Sequence, residues 1–464
     1  MPTFNVLKSG GTSVGTPQAM EIIIGEALRV HNSSLAADND SITALIVSAT
    51  GKQKSGEAKD KNTDLLEQIV EGANIQINLE ELRQREQRPL QYFSLPAEFN
   101  DAWFSQLGNY IQENNMPADA RYSGIVTSVG ERLKAAQVAA VINKSQPSLA
   151  VHLDYDKTGV TTAGGHKFAV KTDKTYGSIK DALSLPKYKG RIIVMGGFMG
   201  IDENTSHVAT LERGGSDTHA VWIGSAMGAD RVYIYSDTSL RRTDPRIVAD
   251  AKVIPKITYG ELSEFIGFGS SIVADRANDA AEQSLVELVL KNTFQLEDET
   301  IVSSNIAHNN GGIKGIAASP SVVLSLAGLP VGPGAYNRVT EILSGHKIGF
   351  VNEAGDRRCS SMVLVGAPEN PLKQNIGYAL EELDKAGFAV NVTYGMTRIG
   401  IIGEGIGRSP TGLVAIGQTL QELHLPVNQI SLPIDGRAIS IVTDKTHVPN
   451  VISKLYGRLF SNKK

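Results

Sequence analysis

Two glycine-rich turns, each followed by a helix-forming segment, constrain this chain more than any other feature. The first, residues 8–13 (KSGGTS), follows the short apolar run 3–7, and the second, residues 213–218 (RGGSDT), precedes the apolar segment 220–227. Glycine lets the backbone approach a ligand without a Cβ in the way. A helix that begins at such a turn presents backbone N–H groups and the positive end of its dipole. Each turn therefore predicts a cradle for a phosphate or carboxylate group.

Length, charge and cysteine content restrict the class of protein. The chain has 464 residues, a net charge of −4 and one cysteine, Cys359. The charge excludes a basic field for nucleic acid or an anionic membrane, and one cysteine excludes an internal disulfide. The sequence has no apolar stretch near the roughly 20 residues that a membrane span needs and no signal-peptide pattern at residue 1. We expect a multidomain cytoplasmic protein with neither a nucleic-acid nor a membrane partner.

Short apolar runs alternate with helical patterns over the first 300 residues. The runs that predict strands are 3–7, 44–47, 124–127, 191–195 and 231–235. Apolar spacing predicts a helix over 17–30, further helices are predicted over 63–70 (with Asn62 or Thr63 as N-cap) and 128–142, and 79–115 is polar with a helical bias. This alternation predicts a mostly parallel sheet with helices on both faces. Ligands of such sheets bind at the carboxyl ends of the strands, so one shared site is expected there.

The pattern changes after residue 300. A cycle of strand, Gly/Pro turn, helix, strand and strand occurs twice, which indicates a weak internal repeat of about 70 residues. The predicted strands are 322–326, 347–352, 361–365, 398–402, 427–432 and 438–442, and the predicted helices are 332–343, 413–423 and 448–460. Two small α+β units explain this pattern better than one large domain.

Lys8 and the second turn carry the strongest chemical signals. An ammonium beside a glycine turn suits stabilisation of a phosphoryl group in transfer, although a solvated lysine before an ordinary turn gives the same pattern. Arg213 has the geometry to bind a carboxylate with two hydrogen bonds, and Asp217 to hold Lys8 or a metal-bound nucleotide. The structural alternative is a capped helix start, with Ser216 or Asp217 as N-cap.

Other polar residues follow predicted strands or begin predicted helices. Glu131, at the start of the helix predicted over 128–142, suits either a substrate ammonium or the helix dipole. Ser48 and Thr63 flank one turn. Ser236, Asp237 and the segment 243–246 follow another strand, where they either meet a nucleotide or form an Asx-capped turn. The nine histidines show no metal-binding spacing, so we predict no protein-built metal site.

In their order along the chain, these motifs resemble those of the aspartokinase branch of the amino-acid kinase family. The matching segments are 8–14, 47–49, 62–66, 130–133, 196–200, 210–217, 244–246 and 268–269. The C-terminal repeat resembles two tandem ACT-type regulatory units. The resemblance covers essentially the whole chain. It implies a three-layer α/β kinase domain with a mostly parallel central sheet over 1–300, followed by ACT-like α+β domains over 315–390 and 391–464, consecutive or interleaved.

The resemblance also implies a reaction, in which the γ-phosphoryl of ATP passes to the β-carboxylate of L-aspartate. ATP and Mg²⁺ would be the cofactors, an amino acid the effector at the ACT units, and a homodimer or larger oligomer the assembly. The implied catalytic residues are Lys8 and Asp217. The implied amino-acid site is Ser48, Thr63, Glu131, Arg213 and Ser216. The implied nucleotide site is Lys8, Gly10, Gly11, Ser216, Asp217, Ser236, Asp237 and Arg246.

The chain departs from the family pattern in its nucleotide and effector segments. Ser9 replaces a phenylalanine, Ser271 replaces a nucleotide-contacting lysine, and segment 236–242 is one residue short and lacks a tyrosine. The effector segment is altered at 357–361. Two alternatives therefore stay open. One is a kinase for a related acidic amino acid or another carboxylate metabolite, and the other is a catalytically silent ligand-sensing homologue.

Overall fold

The structure, a computed structural model, describes residues 3–52, 60–113, 120–162, 172–211, 214–304, 312–327, 333–346, 348–355, 359–365, 369–426, 430–431 and 436–461. Its strands are β1 Phe4–Ser9, β2 Ile42–Val47, β3 Ala150–Leu153, β4 Thr161–Thr162, β5 Ile192–Gly196, β6 Met199–Asp202, β7 Val208–Thr210, β8 Arg231–Ser236, β9 Lys256–Ile257, β10 Glu287–Asn292, β11 Gln295–Val302, β12 Gly315–Ala327, β13 Gly349–Gly355, β14 Cys359–Val365, β15 Ala389–Ile402, β16 Ile430–Ser431 and β17 Ala438–Asp444. Its α-helices are α1 Pro17–Leu35, α2 Asn62–Val70, α3 Ile75–Phe93, α4 Asp101–Glu113, α5 Ala120–Ser145, α6 Thr172–Leu183, α7 Gly215–Met227, α8 Tyr259–Gly267, α9 Asp275–Ser284, α10 Pro333–Gly345, α11 Glu369–Lys385, α12 Thr411–Glu422 and α13 Val448–Phe460. In this described part of the chain, no helix is both long enough and apolar enough to cross a bilayer.

The chain forms two compact units. The first contains Met1–Leu240 and Ile272–Ser304, and the second contains Arg241–Ser271 and Asn305–Lys464. The segment that follows β8 in sequence therefore groups with the C-terminal part of the chain. The division into domains at 1–300, 315–390 and 391–464 stays a prediction.

A mostly parallel sheet forms the centre of the first unit. Its strands lie in the order β3-β5-β2-β1-β8-β10-β11. Neighbouring strands from β3 to β10 pair in parallel, and β10 pairs with β11 antiparallel. A small second sheet, β4-β6-β7, lies in the same unit. The parallel pairs place the carboxyl ends of β1, β2, β5, β8 and β10 along one edge, because parallel strands run in one direction.

Side chains along β1 point alternately to the two faces of this sheet, so their contacts show which helices cover each face. Leu7 belongs to the buried cluster that α1 and α5 form with the sheet. On the opposite face, a Cβ added to Gly224 of α7 would lie 2.5 Å from Val232 and 3.8 Å from Val6. Successive strand residues point to opposite faces, so α7 covers the face that carries Val6. Helices therefore lie on both sides of the sheet, and the predicted three-layer α/β class is confirmed.

The second unit contains a continuous antiparallel sheet with an internal repeat. The order along the chain from β12 is β-α-β-β-α, and it repeats from β15 to α13. The strands lie in the order β13-β14-β12-β15-β17-β16, so the two halves are arranged symmetrically about the central β12–β15 pair. Each half has its own apolar cluster. This arrangement agrees with the predicted ACT-like α+β architecture.

The strand predicted over 124–127 is wrong, because these residues lie inside α5, which begins at Ala120. Tyr122, Val126, Val129 and Leu133 are buried together in one cluster. Their spacing of four, three and four residues follows one face of a helix. Glu131 is consequently in the middle of α5 and not at the start of a helix, so the expected interaction with a helix N-terminus is also wrong.

Candidate active site

Backbone hydrogen bonds connect the carboxyl ends of adjacent strands in the first unit. The amide of Gly10 donates to the Tyr235 carbonyl (2.9 Å), and the amide of Ser48 donates to the Ser9 carbonyl (3.2 Å). In the same way Gly197 donates to the Val47 carbonyl at 2.9 Å, and Thr293 to the Ser236 carbonyl at 2.8 Å. Residues that directly follow β1, β2, β5, β8 and β10 are thus fixed side by side at one sheet edge.

Lys8 and Asp217 form a mostly buried ion pair at this edge. Lys8 lies two residues after Val6 in β1, so it points to the face that α7 covers. Asp217 lies in the first turn of α7, and its Oδ1 is 2.6 Å from Lys8 Nζ, with each side chain about 10% exposed. The other oxygen, Oδ2, accepts a hydrogen bond from the Ala274 amide at 3.0 Å. The pair therefore fixes an ammonium group beside the positive end of a helix.

The turn after β1 packs directly on the turn after β2. The Gly51 amide donates to the Gly11 carbonyl at 2.8 Å. A Cβ added to Gly11 would lie 2.6 Å from the Ala49 carbonyl oxygen, and one added to Gly51 would lie 2.5 Å from the Gly11 carbonyl carbon. Glycine is required at these positions because the two backbones approach closely. A left-handed conformation is not the reason at Gly11, because its φ is −59°. A Cβ at Gly10 would instead lie 3.7 Å from Lys8 Nζ.

Glu131 reaches the same edge from α5. Two glycines allow this approach: a Cβ on Gly130 would lie 2.8 Å from Ala49 Cβ, and one on Gly196 would lie 3.0 Å from Glu131 Cβ. The residue is 4% exposed, and within the described residues its Oε2 has no hydrogen-bond partner. A buried polar atom of this kind is costly unless something binds it. Glu131 thus offers an acceptor to a cationic group that enters the site.

Burial raises the pKa of Glu131 to about 7. The Ala49 amide, which donates to this carboxylate, and the positive charge of Lys8 both act in the opposite direction but do not cancel the effect. Desolvation disfavours the charged form of an acid. A bound ammonium would favour the carboxylate again, so we expect binding of a cation and ionisation of Glu131 to be coupled.

The residues predicted to bind the amino-acid substrate lie in different elements at this edge. Ser48 directly follows β2 and is half-buried, and Thr63 is the second residue of α2 and is half-buried as well. Ser216, in the first turn of α7, abuts the end of β5, because a Cβ on Gly197 would lie 2.7 Å from Ser216 Cβ. Arg213 lies outside the described residues. The roles of these side chains stay predictions.

Helix caps differ from those expected. Gly214, with φ of 82°, is the N-cap of α7, so Ser216 and Asp217 are not, and their side chains are not used in capping. Lys61 is the N-cap of α2 in place of Asn62 or Thr63. A left-handed φ suits glycine, which explains why the cap falls on Gly214.

The residues predicted to bind the nucleotide belong to both units: Ser236 and Asp237 to the first and Arg246 to the second. Ser236 ends β8, where its hydroxyl donates to the Thr238 carbonyl at 2.8 Å, and Asp237 follows it. Arg246 lies in the second unit with its guanidinium on Asp244, at 2.6 Å, and is exposed. Ser271, also in the second unit, is exposed. Ser9, which replaces the family phenylalanine, is fully buried.

Several residues at this edge were not anticipated from the sequence. The Ala274 amide binds Asp217, and the hydroxyls of Ser13 and Thr293 lie 2.6 Å apart. Glu86 and Lys134 form a buried ion pair about one helical turn along α5 from Glu131. Local patterns carry no signal for these contacts, because they join residues that are far apart in sequence. The sequence did give one signal for Lys134: it follows Glu131 by three residues, so in a helix the two side chains lie on the same side.

In the described part of the chain, no group of three or more His, Cys, Asp or Glu side chains is arranged to hold a metal ion. Among the described residues, the site holds the carboxylate of Asp217, which contacts Lys8, and that of Glu131, whose pKa the charge of Lys8 lowers. Mg²⁺ binds proteins through one or two carboxylates when phosphates supply the other ligands. These residues therefore fit a Mg²⁺ ion that enters with a nucleotide.

Comparison with known proteins identifies the family. The sequence pattern of the amino acid kinase family matches residues 3–292. The chain belongs to the amino acid kinase family, in its aspartokinase branch. It is 27% identical to an aspartokinase of Corynebacterium efficiens over 325 residues, which are 67% of this chain and 75% of that protein.

Solved aspartokinases share the fold of this amino acid kinase over nearly its whole length. Escherichia coli aspartokinase III in complex with aspartate and ADP aligns with 98% of this chain and 100% of its own, with 20% identity and a TM-score of 0.77. The same enzyme in complex with lysine and aspartate aligns with 98% of this chain and 99% of its own, with 21% identity and a TM-score of 0.79.

Proposed function

We propose that this amino acid kinase transfers the γ-phosphoryl group of ATP to the β-carboxylate of L-aspartate, giving 4-phospho-L-aspartate and ADP. The observation that carries the proposal is the buried Lys8–Asp217 pair at the positive end of α7, together with a Glu131 carboxylate oxygen at the same edge that has no partner among the described residues. Curated relatives of this chain are named aspartokinase. E. coli aspartokinase III was solved with aspartate and ADP, which are the amino-acid substrate and the nucleotide product of the proposed reaction.

The reaction needs positioning and charge stabilisation more than proton transfer. A β-carboxylate oxygen of aspartate attacks the γ-phosphorus, and the bond from that phosphorus to the bridging oxygen breaks as ADP leaves. Negative charge spreads over the equatorial oxygens in the transition state. Lys8 stabilises this charge, and Asp217 orients the ammonium through its 2.6 Å contact. Mg²⁺ carried by ATP neutralises phosphate charge when it is bound.

The amino acid is bound by groups of opposite charge. The Glu131 carboxylate accepts from the α-ammonium, Arg213 binds the α-carboxylate, and Ser48, Thr63 and Ser216 contribute hydroxyls. The phosphates lie along Gly10, Gly11, Ser216 and Asp217, the nucleoside lies towards Ser236 and Asp237, and Arg246 contributes to nucleotide binding. The C-terminal repeat forms ACT-type domains over 315–390 and 391–464, which bind an amino-acid effector and pair between subunits of a homo-oligomer.

The test is an acceptor panel with ATP and Mg²⁺ held fixed. ADP release and hydroxylamine trapping are measured together with L-aspartate, L-glutamate or succinate, which lacks the ammonium group. We expect aspartyl hydroxamate in equal amount to ADP, and little turnover with succinate. A better rate with another acid would replace aspartate as the acceptor. Absence of turnover with every acid, with no ATP binding in calorimetry, would favour the ligand-sensing alternative.

A further inference from the structure

A buried ion pair lies about one turn of α5 away from Glu131. Glu86 of α3 and Lys134 of α5 contact each other at 2.7 Å, with side chains only 3% and 1% exposed. Lys134 also donates to Gln137 Oε1 at 2.9 Å. Burying two charges costs about as much desolvation energy as their attraction returns, so such a pair contributes little net stability. Stability alone therefore does not explain this buried pair.

The second oxygen of Glu86 joins the two ends of one connection. Oε1 accepts from the Thr50 hydroxyl at 2.6 Å and from Asn62 Nδ2 at 2.7 Å. Thr50 follows β2, and Asn62 begins α2, so these residues bracket the β2–α2 connection. The Asn62 amide also donates to the Thr50 carbonyl at 2.9 Å. One carboxylate oxygen thus closes both ends of this connection.

The backbone of Glu86 is also fixed by side-chain hydrogen bonds. Its carbonyl accepts from Asn100 Nδ2 at 2.9 Å and from Gln137 Nε2 at 3.0 Å. Thr50, Asn62, Asn100 and Gln137 are all at most 4% exposed. A fully satisfied buried network of this kind specifies one geometry. We call Glu86, Lys134, Thr50, Asn62, Asn100 and Gln137 the Glu86 network.

Three of the residues proposed to bind the amino-acid substrate, Ser48, Thr63 and Glu131, lie within three residues of a member of the Glu86 network. Ser48 precedes Thr50 by two residues, and Thr63 follows Asn62 directly. Glu131 precedes Lys134 by three residues on α5, and the Ala49 amide donates to its carboxylate. Moving any one of these elements relative to the others would change the distances between Ser48, Thr63 and Glu131.

We propose that Glu86 and Lys134 are positioning residues that set the spacing of Ser48, Thr63 and Glu131 for the amino-acid substrate, through the contacts of Glu86 with Thr50 and Asn62. This inference rests on the proposed function for the identity of the substrate. It does not depend on that function for the geometry. Binding sites need their groups held to about 0.5 Å, and loss of this support weakens ground-state binding of the amino acid.

Two double variants separate positioning from folding. Both E86Q/K134M and E86L/K134M remove the two charges of the Glu86–Lys134 pair, but only the first keeps an oxygen that accepts from Thr50 and Asn62. In both double variants, Gln137 Oε1 loses the hydrogen bond that Lys134 donates to it. We expect KM for L-aspartate to rise about tenfold or more in E86L/K134M and less than about threefold in E86Q/K134M. KM for ATP should stay within about twofold in both.

Single substitutions provide a milder version of the same comparison. Glu86 Oε1 accepts from two groups, the Thr50 hydroxyl and the Asn62 side-chain amide. Thr50→Val removes the hydroxyl donor at nearly constant side-chain volume. Thr158→Val is the matched control, because Thr158 is also fully buried and its hydroxyl donates to the Tyr155 carbonyl at 3.0 Å, away from the Glu86 network. Only Thr50→Val should raise KM for L-aspartate.

Hydrogen exchange tests the geometry independently of catalysis. The amides of Ser48, Gly51 and Asn62 are all bonded to backbone carbonyls at this edge. Their exchange should accelerate in E86L/K134M relative to E86Q/K134M, while amides of β17 should not change. If the wild-type protein shows no aspartate-dependent turnover, the kinase proposal fails and exchange alone decides the positioning role. Equal KM and equal exchange in the two double variants would overturn it.

Discussion

The Lys8–Asp217 pair should control stability as well as activity. Breaking a buried pair by removing one partner typically costs about 3–5 kcal/mol, because the remaining charge stays buried. Lys8→Met should therefore lower the free energy of unfolding by about 3 kcal/mol. The double variant K8M/D217N, which leaves no unpaired charge, should recover most of this loss. Chemical denaturation of the three proteins measures both values.

The control for this comparison is an exposed ion pair. Lys189 contacts Asp40 at 2.5 Å, with side chains 45% and 52% exposed. Solvent screens such a pair, which is worth at most about 1 kcal/mol. Lys189→Met should change stability by less than that amount. An equal loss in Lys189→Met and Lys8→Met would show that a buried, unpaired Asp217 is not the cause of the loss in Lys8→Met.

Glu131 should make amino-acid binding dependent on pH near neutrality. Its pKa is raised to about 7 by burial, so the carboxylate that accepts from an ammonium forms only as pH rises through 7. KM for L-aspartate should fall between pH 6 and pH 8. Glu131→Gln should raise KM and remove this dependence. Initial rates over this pH range, with ATP saturating, measure the effect.

The same raised pKa predicts the opposite slope for stability. The folded protein binds a proton at Glu131 more tightly than the unfolded chain does, whose pKa is near 4.5. The contribution of this group to stability is therefore full below pH 4.5 and is lost as pH rises through 7. The loss amounts to about 3 kcal/mol. If wild type and Glu131→Gln had identical pH–stability curves from pH 5 to 8, the raised pKa would be wrong.

At the scale of elements, the turn after β1 separates a structural glycine from a functional one. Gly11→Ala places a Cβ 2.6 Å from a backbone oxygen, so it should destabilise the fold by about 1–3 kcal/mol. Gly10→Ala has only ordinary contacts, the nearest at 3.4 Å, but its Cβ lies 3.7 Å from Lys8 Nζ. It should leave the fold intact and lower kcat. Thermal unfolding and initial rates distinguish the two.

Gly25 provides the matched control for these alanine substitutions. It lies in the middle of α1, and a Cβ there meets no atom within 4 Å. Gly25→Ala should raise stability by about 0.5–1 kcal/mol, because alanine favours a helix more than glycine does. Loss of stability in Gly10→Ala as large as in Gly11→Ala would contradict the separation of roles.

The sequence predicts the central elements well because each has a strong local signal. The buried run of β2, the capped helix α1 and the repeat after residue 300 all follow from apolar period and turn residues. The error at 124–127 arose from reading a short apolar run without its flanks. Tyr122, Val126, Val129 and Leu133 together show the helical period, which four residues alone cannot show.

The candidate site was predictable only in part. Lys8 and Asp217 were found because glycine turns mark both positions, and β1 and α7 bring them within 2.6 Å. The raised pKa of Glu131 could not be predicted, since it depends on burial by distant strands. Glu86 was missed because its partners Thr50, Asn62 and Lys134 are 36, 24 and 48 residues away in sequence.

At the scale of the whole molecule, the C-terminal sheet predicts self-association. Its described strand order ends at β13 on one side and at β16 on the other. Strands at a sheet edge present backbone groups that another chain can pair with. We expect a dimer or larger oligomer, measured by size-exclusion chromatography with light scattering. A monomer at micromolar concentration would contradict this expectation.

The most direct test of the central claim is hydroxamate formation by the wild-type protein and by K8M/D217N, in which neither member of the pair is left charged without its partner. With ATP, Mg²⁺, L-aspartate and hydroxylamine, the wild type should form aspartyl hydroxamate in equal amount to ADP. The folded double variant should form it at least about a hundredfold more slowly, the scale typical of lost transition-state charge stabilisation. A double variant that works at the wild-type rate would contradict the account.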